Sequence, residues 1–86
     1  MEKERRKAYV SVNLDVDGEG NIVPRLIRWE DGQTFEVDKL IRKRRASAKV
    51  GGFGICYTVR IRGHETCLFH ESGGDRWFVE AKEARR

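Results

Sequence analysis

Eighty-six residues, 37% of them charged and 38% hydrophobic, make one small domain with a modest core, while eight aromatics exclude wholesale disorder. Two cysteines are too few for a disulfide scaffold, no apolar run approaches the ~20 residues that span a bilayer, and no apolar leader follows the charged start, so a reduced, cytoplasmic protein is expected. The net charge of +4 is unevenly laid out: residues 1–7 carry +2, residues 8–38 carry −5, residues 39–62 carry eight Lys and Arg with no acid, and residues 63–86 carry −1.

The charged residues 1–7 read as a disordered N-terminus, residues 8–80 as the domain, and residues 81–86 as a charged tail. Ala8, Val10, Val12, Leu14 and Val16 alternate with polar residues, a period of two that predicts a strand with one apolar face. Asp17-Gly18-Glu19-Gly20-Asn21 supplies a turn. A second strand runs from Ile22 to Glu30, and Pro24, which has no N–H to donate, places its start at an edge or bulge. Asp31-Gly32 is a hairpin signal, and Thr34 to Val37 resumes the alternation.

From Val37 to Ala48 the pattern is ambiguous, because Val37, Leu40 and Ile41 have helical spacing. No capping pair precedes them and the apolar stripe stops at Ile41, which favours a long bent strand running out into a basic loop. Gly51-Gly52-Phe53-Gly54 breaks the chain, and Ile55 to Arg62 is a strand with Tyr57, Val59 and Ile61 on one face. After a turn at Gly63-His64, Thr66 to His70 forms the next strand, with a register that depends on whether the loop has two or three residues. Ser72 to Asp75 turns again, and Arg76 to Glu80 closes the fold. The fold class expected is all-β: a six-stranded antiparallel meander curled into an SH3-like barrel, which hides both the edges and the single apolar face.

The segments Ile27 to Val37, Tyr57 to Ile61 and Arg76 to Glu80 resemble a group of short, uncharacterised bacterial proteins, over most of the chain from about Val23 to Glu80. The resemblance implies a compact bacterial β domain and transfers no functional residues.

The leading functional feature is the basic segment. Arg42, Lys43, Arg44, Arg45 and Lys49 precede the glycine loop, with Lys39 before them and Arg60 and Arg62 after it. Clustered cations suit DNA or RNA because affinity for a phosphate backbone comes from releasing condensed counterions, and arginine adds bidentate phosphate contacts and stacking. Phe53, flanked by glycines, would offer a stacking surface. Against this stand the ordinary alternatives that the cations pair with Glu36, Asp38, Glu65 and Glu71, or that they dock an acidic protein partner. A peptide-binding module would instead expose Trp29, Tyr57 and Trp77 together, though packing in the core is the simpler role for Trp29, Trp77 and Phe78.

Other motifs are weaker. Gly51 to Gly54 lacks the lysine and following helix of a phosphate loop. Cys56, His64, Cys67 and His70 have neither C-x₂-C nor H-x₃₋₅-H spacing, so no metal or other cofactor is expected. A Cys–His nucleophile drawn from them has no orienting acid or oxyanion hole, so no enzyme activity is expected either. Arg44-Arg45-Ala46-Ser47 matches a basic kinase site, a pattern short enough to recur by chance.

Overall fold

Strict alternation makes the opening strand, β1 (Arg5–Val16), with Ala8, Val10 and Val12 on one side and Lys7, Tyr9 and Ser11 on the other. The computed structural model describes residues 5–48 and 52–82. Six further strands follow: β2 (Ile22–Arg28), β3 (Thr34–Glu36), β4 (Lys39–Ser47), β5 (Phe53–Ile61), β6 (His64–Glu71) and β7 (Trp77–Lys82). All pair antiparallel in one sheet of order β3-β2-β1-β7-β6-β5-β4. Among the described residues no helix is long and apolar enough to cross a membrane.

The stretch expected as one bent strand ending in a basic loop is divided, and the strands number seven rather than six. β3 pairs with β2, the chain bends at Val37 and Asp38, and β4 pairs with β5 as far as Ser47 opposite Phe53. The bend is fastened to both neighbours: Val37 N–H donates to the Arg25 carbonyl (2.9 Å) and Asp38 N–H to that of Arg60 (2.8 Å). Since β3 and β4 stand at opposite ends of the strand order yet adjoin in sequence, the sheet has to curl, which gives a half-barrel.

The helix-like spacing of Val37, Leu40 and Ile41 has its own cause. The β4–β5 register shifts between Leu40 and Arg42, a bulge that sets two consecutive residues against one partner. Two neighbouring apolar residues are thereby both half-buried without a helix. A second bulge, between Asn13 and Leu14, lies opposite the stretch Pro24–Leu26 and accommodates the missing N–H of Pro24, which is fully buried.

Parity sorts the side chains into two clusters. The inner cluster joins Ala8, Ile27, Tyr57, Val59, Leu68, Trp77 and Val79, with Trp29 and Leu40 partly buried against it. The outer cluster is smaller: Ala48, Cys56, Phe69 and Phe78, flanked by Tyr9, Ala46 and Cys67. Phe69 stacks on Phe78 at 5.0 Å between centroids. Burial on both faces lets a chain with few apolar residues use more of them than a one-sided sheet would.

The β5–β6 hairpin turns on two residues, Arg62 (φ 51°) and Gly63 (φ 81°), between the paired Ile61 and His64. Positive φ at both positions is the type I′ geometry that matches strand twist. It fixes the open register: Cys67 lies opposite Thr58 on the outer face, Leu68 opposite Tyr57 on the inner, and Phe69 on the outer. At the other end of this hairpin Gly54 is required by close approach, because a Cβ there would collide with the His70 carbonyl oxygen.

Candidate nucleic-acid interface

β4 lies at an end of the sheet and, among the described residues, pairs only with β5. Its cations alternate as a strand demands. Arg42 and Arg44 sit opposite Thr58 and Cys56 and face outward; Lys43 and Arg45 sit opposite Tyr57 and Ile55 and face the inner side. All four are exposed. The Lys43 ammonium lies over the Tyr57 ring, 5.5 Å from its centroid.

None of these four has an acidic partner among the described residues, and most of the described carboxylates are engaged elsewhere. Glu30 takes two hydrogen bonds from Arg6 (2.8 and 3.0 Å), and Asp15 pairs with Arg25 at 2.9 Å. Asp17 closes its turn, accepting from the backbone of Glu19 and Asn21 and from the Asn21 side chain, contacts that hold its pKa below the ordinary value. Asp31 does the same for Gln33. Of the four acids expected to neutralise the basic segment, Glu65 approaches Arg60 at 3.9 Å, and Asp38 accepts from the Arg62 backbone N–H at 3.2 Å. Glu71 is committed to Lys7 and Arg76, and Glu36 makes no ion pair among the described residues.

The remaining candidates separate. Phe53 is 61% exposed at the start of β5, opposite Ser47, on the same inner side as Lys43 and Arg45. Arg60 pairs across from Lys39 at the far end of β5. Arg62 occupies the turn beyond, its guanidinium 5.0 Å from the Phe35 ring centroid. At ~3.3 Å per residue, Arg62 is about 30 Å from Phe53 along the strand, so these two do not share one contact. Lys49 lies outside the described residues, as do residues 1–4 and 83–86.

Trp29, Tyr57 and Trp77 are not exposed together. Tyr57 and Trp77 are buried, their rings 5.1 Å apart, and Trp29 is half-buried against the inner cluster. Phe35, Trp29, Ile27, Ile61, Thr66 and Val79 instead border an apolar hollow of about 330 Å³. The metal-capable residues also disperse. Cys56 and Cys67 share the outer face, with Cα atoms 5.8 Å apart, and are joined as a disulfide where reduced thiols were expected. His70 faces inward and stacks on Trp77 (4.4 Å), away from both cysteines, and His64 is exposed beside the turn. Among the described residues no three His, Cys, Asp or Glu are close enough to hold a metal ion.

One polar cluster was not visible in the sequence. On the outer face the Glu71 carboxylate, with a side chain only 16% exposed, accepts from the Tyr9 hydroxyl (2.7 Å) and the Lys7 ammonium (3.2 Å), and Arg76 Nε lies 3.5 Å away. Arg76 also donates to the Tyr9 hydroxyl and covers its ring, while Lys7 covers Phe78. The Tyr9 hydrogen bond is the main reason the Glu71 pKa falls below the ordinary carboxylate value, and the hydrogen bond to Glu71 raises that of Lys7. The only sequence signal was the shared parity of Lys7 and Tyr9; the separation of 62 positions from Tyr9 to Glu71 carried none.

No protein-family model matches the chain, and no curated protein or solved structure shows significant similarity to it.

Proposed function

We propose that this protein is a small nucleic-acid-binding or nucleic-acid-associated accessory domain that contacts phosphates through strand β4 rather than through a loop. What supports the reading is the run Arg42-Lys43-Arg44-Arg45, four exposed cations on a strand at the end of the sheet, none neutralised by a described acid. Intramolecular pairing would have removed their capacity to displace counterions; their exposure retains it. An SH3-like description goes with this reading, the curled seven-stranded sheet leaving β4 with no described strand on the side away from β5.

The test is fluorescence anisotropy with labelled single- and double-stranded DNA and RNA at low salt. Four phosphate contacts would give log affinity a slope of about −3 against log salt, and replacing all four cations with Ala would bring it near zero. Wild-type protein that binds none of these probes at low salt ends the proposal.

A second reading has one observation in its favour. Nine-residue β4 has a side paired to no described strand, and an acidic peptide could add there by main-chain hydrogen bonding. Cations on an end strand are also a known guard against unwanted pairing of this type, which weighs against it.

A further inference from the structure

We infer that the ligand of β4 is single-stranded, and that it lies along the inner side of the strand over Lys43, Arg45 and Phe53; this rests on the nucleic-acid reading above. The two sides of β4 differ in one respect that decides what they can recognise. Both carry two cations, but only the inner side adds an uncovered aromatic ring. Ser47 opposite Phe53, Arg45 opposite Ile55 and Lys43 opposite Tyr57 form three successive cross-strand pairs on that side. Lys43 and Arg45 are about 6.7 Å apart along the strand, so two cations follow the exposed ring in a line.

On the outer side the aromatic surface is already occupied. Tyr9 lies under the Arg76 guanidinium at 4.1 Å, Phe78 is fully buried under Lys7, and Phe69 is buried against Phe78. Nothing there can stack on a base. Phe53 is the only aromatic among the exposed large hydrophobic residues described. An exposed ring beside aligned cations is the pattern by which proteins hold unpaired bases, whose faces are open, whereas a duplex keeps its base faces stacked internally. The outer Arg42 and Arg44 then add long-range attraction without direct readout.

The experiment compares a fluorescein-labelled oligo-dT with a hairpin duplex of equal phosphate count, at matched low salt. The expected result is tighter binding of oligo-dT. Phe53→Ala should weaken it about tenfold and leave duplex binding unchanged, while Phe53→Trp restores it. Lys43→Ala with Arg45→Ala should reduce the salt slope for oligo-dT by about 1.4, and Arg42→Ala with Arg44→Ala by clearly less. Circular dichroism of each variant guards against loss of fold. Equal or tighter duplex binding overturns the inference and leaves the nucleic-acid reading standing, and so does a Phe53→Ala variant that folds and binds oligo-dT as wild type does. Tighter binding of a labelled acidic peptide than of oligo-dT overturns the inference in favour of strand addition. No binding of either nucleic acid overturns both.

Discussion

The molecule treats two groups of charge in opposite ways. Around Glu71, on the outer face, a carboxylate largely withdrawn from solvent gathers Tyr9, Lys7 and Arg76 within 3.5 Å, and these tie β1 to the β6–β7 turn. Along β4, four consecutive cations stand exposed with no described acid near them. The first group is consumed by the fold: its charges satisfy one another and their stems cover Phe78 and Tyr9. The second has a single internal contact among the described residues, the Lys43 ammonium over the Tyr57 ring, and a row of like charges costs some stability. Charge that the structure does not use is charge available to a partner, and that contrast underlies the functional reading.

The largest expected effect tests whether the Glu71 region is structural. Phe78 is fully buried, stacked on Phe69, edge-on to Tyr9 and capped by Lys7. Phe78→Ala should cost about 3–5 kcal/mol, the usual range for emptying an aromatic core position. Single alanine substitutions at Arg42, Lys43, Arg44 or Arg45 should each stay within about 0.5 kcal/mol. Urea unfolding measures both. If a β4 variant loses as much stability as Phe78→Ala, its cations are structural and the contrast collapses.

Glu71→Gln acts on the same region with a smaller effect, readable through pH. The folded pKa of Glu71 lies below its ordinary value of 4.5. Its stabilisation is therefore complete above that value and fades as pH falls through the lower folded value. Asp17 and Glu30 are depressed as well, chiefly by the side chains of Asn21 and Arg6, so the wild type loses all three contributions over the same acidic window. Glu71→Gln should lower stability at neutral pH and make the decline between about pH 5 and pH 2 shallower. An acid limb as steep as that of wild type would show that the Tyr9 and Lys7 contacts to Glu71 contribute no pH-dependent stability.

How far these regions were legible in the sequence follows from the range over which each signal acts. Alternation from Ala8 to Val12 in β1 and in Ile55 to Ile61 is local, and it assigned their faces correctly, whereas Leu14 and Val16 at the far end of β1 stand exposed where burial was expected. The same signal was ambiguous between Val37 and Ala48, because a bulge at Leu40–Arg42 breaks the period of two and imitates a helical spacing; the strand it favoured is present, but as β4 rather than as a basic loop. The bulge near Pro24 was readable, since a residue without an N–H leaves few alternatives. Long-range pairing was not readable. No local feature reveals that β1 lies beside β7, so Lys7 and Tyr9 gave no hint of Glu71 or Arg76. The basic segment was legible as composition but not as geometry: eight cations look like one patch in the sequence, yet strand alternation divides Arg42 and Arg44 from Lys43 and Arg45, and the length of β5 removes Arg60 and Arg62 from Phe53.

The smallest effect is also the most direct measure of unused charge. Residues two apart on one face of β4 are separated by about 6.7 Å at the backbone, a distance at which two unit charges in water repel by roughly 0.6 kcal/mol before screening. Arg42 with Arg44, and Lys43 with Arg45, each make such a pair, and long side chains relieve part of it by splaying apart. Salt screens what remains, since the Debye length falls to about 8 Å near 0.15 M. Moderate salt should therefore raise wild-type stability by a few tenths of a kcal/mol, and Arg44→Ala in low salt should give a comparable gain without any added salt. The pairs around Glu71 predict the reverse sign, because screening weakens attraction, but the low exposure of Lys7 and Glu71 keeps the loss from that pair small. Matched urea titrations of wild type and Arg44→Ala at low and moderate salt separate the two contributions. If Arg44→Ala is less stable than wild type at low salt, Arg44 has an attractive partner in solution, and β4 has less free charge to offer a nucleic acid than its strand geometry implies.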